Sequence, residues 1–227
     1  MLLPFEKLPE KLQNEKVKPY YDILYKKRAV LFWKRVTDLF ISILLLVFLL
    51  IPMLILAIIV KCTSKGPVLY KQKRVTTYGK VFNIFKFRTM VVNADQIGAL
   101  VTSENDQRVT KIGRVLRKYR LDELPQVFNV LSGKMSIVGT RPEVPKYVDR
   151  YTDEMYATLL MPAGITSFAS IKFKDEEKLL QDSNNVDEDY INKILPKKMR
   201  YNLKYIYRFG FKRDLYLMLK TVKEVIS

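Results

Sequence analysis

Histidine is absent from the 227 residues, and cysteine occurs once, at Cys62. Without an imidazole there is no Ser-His or Cys-His catalysis and no His-ligated zinc site. A single cysteine permits neither an internal disulfide nor a Cys-based metal cluster. Residues 1–25 place Pro4, Pro9 and Pro19 among Lys and Glu, and lack the charged start, apolar centre and small-residue cleavage site of a signal peptide. They read as a loosely ordered or surface-lying extension. Internal repeats, low-complexity tracts and an evident separate soluble domain are missing too. An enzyme of this composition draws its nucleophile or base from a carboxylate, Lys or Tyr.

What is abundant is positive charge and apolar sequence. Forty Lys and Arg against 23 Asp and Glu give a net charge of +17. Such an excess implies an anionic partner: nucleic acid, a phosphorylated substrate or acidic lipid. A hydrophobic content of 48% excludes general disorder, and the length suits one or two domains.

Leu39 to Val60 is an apolar run interrupted by Ser42 and Pro52. As a helix it would extend roughly 33 Å, enough to cross a bilayer. Eighteen of its residues are Leu, Ile, Val or Phe, so insertion is favourable by about 5–10 kcal/mol at most. Lys26, Lys27, Arg28, Lys34 and Arg35 precede the run, and Lys61, Lys65, Lys71, Lys73 and Arg74 follow it. Positive flanks on both sides favour the cytoplasm for both, which a straight spanning helix cannot satisfy. Pro52 removes the hydrogen bond to the Phe48 carbonyl and makes a break available at Ile51-Pro52. The expectation is a re-entrant helix-break-helix; a Pro-kinked spanning helix is the alternative.

The chain's central stretch is Arg120-Leu121-Asp122-Glu123-Leu124-Pro125. Ile112, Val115, Leu116 and Tyr119 repeat at helical spacing, as do Leu124, Val127, Phe128 and Leu131, with Gly133 placed to end the second helix. Pro125 fits a first turn, so Asp122 and Glu123 fall at or just before a helix N-terminus, where free N–H groups can cradle phosphate. Arg117, Lys118, Arg120, Lys134 and Arg141 surround the two acids in sequence and favour their ionised forms. An ionised Asp can act as nucleophile and an ionised Glu can hold a divalent metal. The same pair also suits plain helix capping.

Elsewhere, Val68 to Lys73 and Lys80 to Phe87 read as a hairpin around Thr76-Thr77-Tyr78-Gly79. Lys86 and Arg88 share one face of the second strand, suited to clamping a diphosphate or to meeting lipid headgroups or water. Asn93 to Asn105 reads as a polar connector. Val144 to Leu160 reads as a helix, Met161 to Thr166 as a turn, and Lys172 to Asp189 as a solvated charged segment. Tyr201, Tyr205, Tyr207, Phe209 and Phe211, interleaved with Lys204, Arg208, Lys212 and Arg213, suit a membrane interface or the rim of an ordinary core. A last helix carries Leu215, Met218, Leu219, Val222 and Ile226, with Asp214 as its expected N-cap.

Taken together these blocks resemble the bacterial sugar transferases, the monotopic phosphoglycosyl transferases. The resemblance runs from Lys34-Arg35-Val36-Thr37-Asp38 to about Val222. It includes Gly66-Pro67-Val68, Phe85-Lys86-Phe87-Arg88-Thr89-Met90, Thr110-Lys111-Ile112-Gly113, Leu121-Asp122-Glu123-Leu124-Pro125-Gln126, Asn129-Val130-Leu131-Ser132-Gly133 and Ser136-Ile137-Val138-Gly139-Thr140-Arg141-Pro142-Glu143. It implies transfer of a sugar-1-phosphate from a UDP-sugar to undecaprenyl phosphate at the cytoplasmic face of a bacterial membrane, with Mg2+. Asp122 matches the family's nucleophile, which forms a phospho-sugar aspartyl intermediate and expels UMP. Glu123 matches its metal-associated acid, with Asp122 beside it, and Arg117 and Arg141 match arginines that are candidates for holding phosphate.

Three departures stand out. Ile51-Pro52 replaces the common Ser-Pro, Gly139-Thr140-Arg141-Pro142 replaces Gly-Pro-Arg-Pro, and Met161-Pro162-Ala163-Gly164-Ile165-Thr166 varies a block that bears on the sugar.

The expected fold is α+β and mostly helical, with an N-terminal extension over 1–33 and a re-entrant membrane helix over 34–61. A membrane-associated catalytic domain follows over 62–227, with a short β-hairpin and interfacial amphipathic helices. Expected partners are a UDP-sugar, undecaprenyl phosphate and anionic lipids, without nucleic acid; a second copy of the chain and later glycosyltransferases are further candidates. The competing functions are a catalytically silent scaffold for glycan assembly and a membrane-tethered polyanion-binding protein.

Overall fold

The computed structural model describes residues 2–94, 106–174, 176–181 and 185–226. It is a mostly helical α+β chain in which one long apolar helix lies against a domain built on two small sheets. Most of the expected connector over Asn93 to Asn105 falls outside the described residues.

Helix α1 spans Lys18–Lys26 and α2 spans Arg28–Thr63. Strands β1 (Leu69–Val75) and β2 (Val81–Phe87) form the expected antiparallel hairpin, with Leu69 opposite Phe87 and Val75 opposite Val81. Helix α3 (Lys111–Lys118) is capped by the Thr110 hydroxyl, which accepts from the Gly113 N–H. The tight turn Leu121–Glu123 leads to α4 (Gln126–Leu131), and Gly133 follows with φ 77°. Strands β3 (Met135–Val138) and β4 (Ala163–Thr166) pair in parallel. Helices α5 (Phe168–Lys172), α6 (Leu195–Tyr207) and α7 (Phe211–Ile226) complete the frame.

Helix α2 continues through Pro52, and both Ile51 and Pro52 are exposed. The helical assignment is therefore not interrupted where the sequence offered a break. Its 36 residues have a mean hydropathy of 3.5 in the most apolar window, of which 11% is buried. The helix is thus long and apolar enough to cross a membrane, and it is not the covered core helix of a globular domain.

The covered face of α2 is a single stripe. Lys34, Asp38 and Ser42 are buried in its first half, Met53 and Val60 in its second, at the three- and four-residue spacing that keeps side chains on one face. On one side of Pro52, Lys34 Nζ lies 2.7 Å from Asp214 Oδ2, the Ser136 hydroxyl donates to Asp38 Oδ2 at 2.6 Å, and Arg35 donates to the Val130 carbonyl at 2.7 Å. On the other side, Met53 and Val60 pack with Phe87 and Leu116, joined by Leu49, Leu56, Ile112, Leu121 and Leu124. The same domain therefore holds the helix on both sides of the proline. Lys34 and Arg35, expected as membrane-flanking charges, spend their hydrogen bonds on this domain instead.

Several expectations need correction. The N-terminal segment is not loosely attached: Leu8, Leu12, Val17, Tyr20, Tyr21 and Leu24 are buried in the main core with Leu159, Leu160 and Ile206. Apolar residues four and three apart give this segment a covered face that its prolines and charges hide from a compositional reading. Val144 to Leu160 is two pieces, a turn of helix at Pro145–Val148 and a 3-10 stretch at Met155–Leu160. Asp214 is no N-cap: it lies inside α7, buried, and accepts from Lys34 and from the Tyr205 hydroxyl at 2.7 Å. Tyr205 and Phe209 are buried, so the aromatic-basic stretch supplies core as well as surface, while Tyr207 and Phe211 are exposed.

Candidate active site

Arg120 adopts a left-handed backbone with φ 54°, which is costly for a residue with a Cβ. It turns the chain out of α3 so that Asp122 and Glu123 enter a tight turn one residue before Pro125 starts the next helix. Both carboxylates are buried, at 6% and 9% exposure. They sit at the wall of a cavity of about 1400 Å³ that is also lined by Lys86, Arg117, Arg141 and, from α2, Leu45 and Leu49.

The hairpin supplies the first cation. Lys86 Nζ lies 2.9 Å from Glu123 Oε1 and 3.9 Å from Asp122 Oδ2. Its strand is fixed against α4 by Asn129, which is fully buried. The Asn129 side chain donates to the Asn83 carbonyl at 2.8 Å and accepts from the Phe85 N–H at 2.9 Å.

The second sheet supplies the next cation. Gly139 N–H donates to the Thr166 carbonyl at 3.0 Å and Gly164 N–H to the Thr140 carbonyl at 2.8 Å. A Cβ on either glycine would run into the backbone of the other strand's segment, so the two strands can approach this closely only with glycine there. Arg141 leaves that crossing and brings Nη2 to 3.5 Å from Glu123 Oε1, while Arg120 Nη1 stands 4.0 Å from the same oxygen.

The two acids differ in charge preference. Burial pushes the Asp122 carboxyl up, with Lys86 opposing and Glu123 adding to the rise, so its pKa is raised above the usual 3.8. Burial acts against the Glu123 charge as well, but Lys86, Arg141 and Arg120 outweigh it and hold the carboxyl well below the usual range. Sequence alone favoured ionisation of both; the structure separates them, because the cations converge on one oxygen of Glu123. Around Arg141 burial opposes the charge, yet Glu123, Glu176 and Glu143 raise its pKa above the ordinary guanidinium value.

Of the expected site residues, Asp122, Glu123, Lys86 and Arg141 converge, and Arg117 lines the same cavity and bears electrostatically on Asp122. Arg88 also lines this cavity, but its guanidinium is committed to protein partners. It is 5% exposed and donates through Nη2 to the Ser64 carbonyl at 2.6 Å, the Ser64 hydroxyl at 2.8 Å and the Val60 carbonyl at 3.3 Å, and through Nη1 to Pro67. It caps the C-terminal end of α2, where carbonyls lack helical partners.

Sequence reasoning missed Asn129 as the tie between helix and hairpin, and it missed Glu143, Glu176, Tyr190 and Lys198, which line the cavity beyond Arg141. Only Asn129 and Glu143 lay within recognisable blocks; Lys198 reads as one more surface lysine until the fold buries it.

Two adjacent carboxylates are a fitting donor set for Mg2+, a hard cation bound through one or two carboxylates with substrate phosphates completing its shell. Among the described residues no group of three acidic, His or Cys side chains could enclose a metal by itself.

The family profile described as Bacterial sugar transferase matches residues 29–227. The chain is 34% identical over 217 residues to the UDP-glucose:undecaprenyl-phosphate glucose-1-phosphate transferase of Klebsiella pneumoniae, covering 94% of this chain and 44% of that protein. It is 36% identical over 179 residues to the UDP-N-acetylgalactosamine-undecaprenyl-phosphate N-acetylgalactosaminephosphotransferase of Aeromonas hydrophila, covering 77% and 39%. Against the undecaprenyl-phosphate galactose phosphotransferase of Salmonella typhimurium it is 33% identical over 215 residues, covering 88% and 42%. The chain thus spans less than half the length of these relatives. On the match to most of its length, this chain belongs to the bacterial sugar transferase family.

Proposed function

We propose that the chain transfers a sugar-1-phosphate from a UDP-sugar to undecaprenyl phosphate, as an initiating step of surface glycan or exopolysaccharide synthesis. The observation that carries this is the placement of Asp122 and Glu123, with Lys86 and Arg141 on Glu123, in the wall of a cavity that α2 also lines through Leu45 and Leu49. One cavity offers charged groups for a diphosphate and an apolar wall for a polyprenyl chain.

In the proposed reaction a carboxylate oxygen of Asp122 forms a bond to the sugar-bearing phosphorus. The bond from that phosphorus to the bridging oxygen breaks, and UMP departs with the electron pair. A phosphate oxygen of undecaprenyl phosphate then attacks the aspartyl-bound phosphorus and restores the Asp122 carboxylate. Splitting the transfer in two lets a soluble donor and a lipid acceptor use one site in turn. Lys86, Arg117 and Arg141 offset the donor's negative charge, which otherwise repels a carboxylate nucleophile. Glu123 and Asp122 would hold Mg2+, whose chemistry here is charge neutralisation on the diphosphate.

Placement on the membrane follows from α2. The domain grips it on both sides of Pro52, which supports both ends lying on one membrane face, the cytoplasmic one by the positive flanks. The outward face, with Phe40, Val47, Phe48, Ile51, Leu54 and Ile58 exposed, would then be buried in lipid. Phe211, Leu215, Leu219 and Val222 give α7 an exposed apolar stripe beside Lys212, Lys220 and Lys223, suited to an anionic lipid surface.

UMP release from a panel of UDP-sugars, with Mg2+ and undecaprenyl phosphate, tests the proposal. Wild-type protein should release UMP from at least one donor and Asp122→Asn should not. Equal release from both would remove Asp122 from the chemistry, and silence from wild type across the panel would favour the scaffold function.

A further inference from the structure

Beyond Arg141 the cavity meets a second group of charges that the transfer steps leave unused. Lys198 of α6 is 3% exposed. Its ammonium has three partners from three segments: the Tyr190 hydroxyl at 2.6 Å, Glu176 Oε2 at 2.9 Å and Glu143 Oε1 at 3.1 Å. Glu143 stands two residues after Arg141 and is itself buried. Arg74 approaches Glu143 Oε2 at 3.8 Å, with its guanidinium already donating to Gln72 and to the Pro142 carbonyl. Arg141, Glu143, Glu176, Tyr190 and Lys198 all line the cavity that holds Asp122 and Glu123.

We propose that Lys198 is a positioning residue for the transfer: by neutralising Glu143 and Glu176 it leaves the Arg141 guanidinium directed at Glu123 and at donor phosphate. The proposal rests on the phosphosugar-transfer reading and adds to it a role for a lysine on a different helix. One carboxylate is in contact with Arg141, and two more, Glu143 and Glu176, line the same cavity beyond it. Glu123 holds it at 3.5 Å, and Glu176 and Glu143 are close enough to bear on its charge. Burial alone would raise the Glu176 pKa; Lys198 first, then Arg141, then Arg74, bring it below the ordinary value. With Lys198 removed, Glu176 and Glu143 lose the ammonium that sits 2.9 and 3.1 Å from them, and the nearest remaining cations in the cavity wall, Arg141 among them, are drawn toward them. A buried ion cluster contributes little net stability over apolar packing, so stability alone does not account for one in this wall.

The test uses the full chain in detergent with Mg2+ and reads two quantities, the Kd for UDP by calorimetry and the KM values for UDP-sugar and undecaprenyl phosphate. Lys198→Met should weaken UDP binding and raise the UDP-sugar KM by about 10–100-fold, the range for losing a partner that orients a reacting group. The undecaprenyl phosphate KM should move less than threefold. Adding Glu176→Gln to Lys198→Met should recover at least tenfold, because it removes the competitor for Arg141. No recovery in the double variant, or equal losses for both substrates, would overturn the proposal. If Lys198→Met does not fold, the triple variant with Glu143→Gln and Glu176→Gln carries the test. Near-wild-type UDP binding by it supports charge balance as the role, and lost binding contradicts it. Wild-type protein that binds UDP without releasing UMP would refute the transfer reading while leaving the binding test intact. Failure of wild type to bind UDP would overturn both.

Discussion

The Lys86 ammonium lies 2.9 Å from Glu123 Oε1 and a full ångström farther from the nearest oxygen of Asp122. One lysine thus serves the two neighbouring carboxylates unequally. Glu123 is kept ionised while burial raises the Asp122 pKa. A nucleophile must be deprotonated, so activity should rise with pH through the Asp122 pKa, and the acid limb of kcat/KM should lie above the ordinary aspartate value of 3.8. Lys86 is the largest influence lowering that pKa; Lys86→Met should therefore shift the limb to higher pH as well as reduce kcat/KM. A pH–rate profile of the two proteins checks the direction.

Asn129, itself without exposure to solvent, joins α4 to β2 through two part-buried hydrogen bonds. Asn129→Ala removes both hydrogen bonds, at about 0.5–1.5 kcal/mol each for part-buried groups. Because Lys86 follows Phe85 directly, the variant should lose activity out of proportion to its loss of stability. Thermal unfolding in detergent and UMP release, measured on one preparation, separate the two effects.

The fold was readable in sequence where local chemistry set it. The hairpin, the apolar run and the turn at Asp122-Glu123 all lie close to where alternation, hydropathy and Pro125 place them. Glu123, Lys86 and Arg141 converge from three segments; the acid pair and strand parity pointed to Glu123 and Lys86, and family resemblance to Glu123 and Arg141. What stayed hidden depends on contacts between distant segments. Lys34 pairs with Asp214 across 180 residues, and no periodicity in either neighbourhood announces it. Arg88 lines the cavity with Lys86, but strand parity could not show that its guanidinium is committed to Ser64, Val60 and Pro67. Glu176 belongs to a charged segment whose composition predicts solvent, and Lys198, on α6, is buried against it only by the tertiary fold.

Lys34→Met should break the buried Lys34–Asp214 pair that anchors the first half of α2. Removing one partner leaves Asp214 uncompensated beside Asp38, at a cost of about 3–5 kcal/mol. Asp214→Asn in the same background should recover part of it. Thermal midpoints of the single and double variants provide the comparison.

Leu24 is fully buried against the main core although it precedes the long apolar helix α2. Leu24→Ala should destabilise the protein by about 2–5 kcal/mol, where a loosely attached extension would show almost no change. The same unfolding experiment reads it.

The covalent intermediate on Asp122 is the central claim, and intact-protein mass measurement tests it most directly. Wild-type protein incubated with Mg2+ and a UDP-sugar that supports UMP release, without undecaprenyl phosphate, should gain the mass of one sugar phosphate, mapped by peptide fragmentation to Asp122. Addition of undecaprenyl phosphate should return the protein to its original mass. An unchanged mass under conditions where UMP is released, or a label on any other residue, would contradict the account.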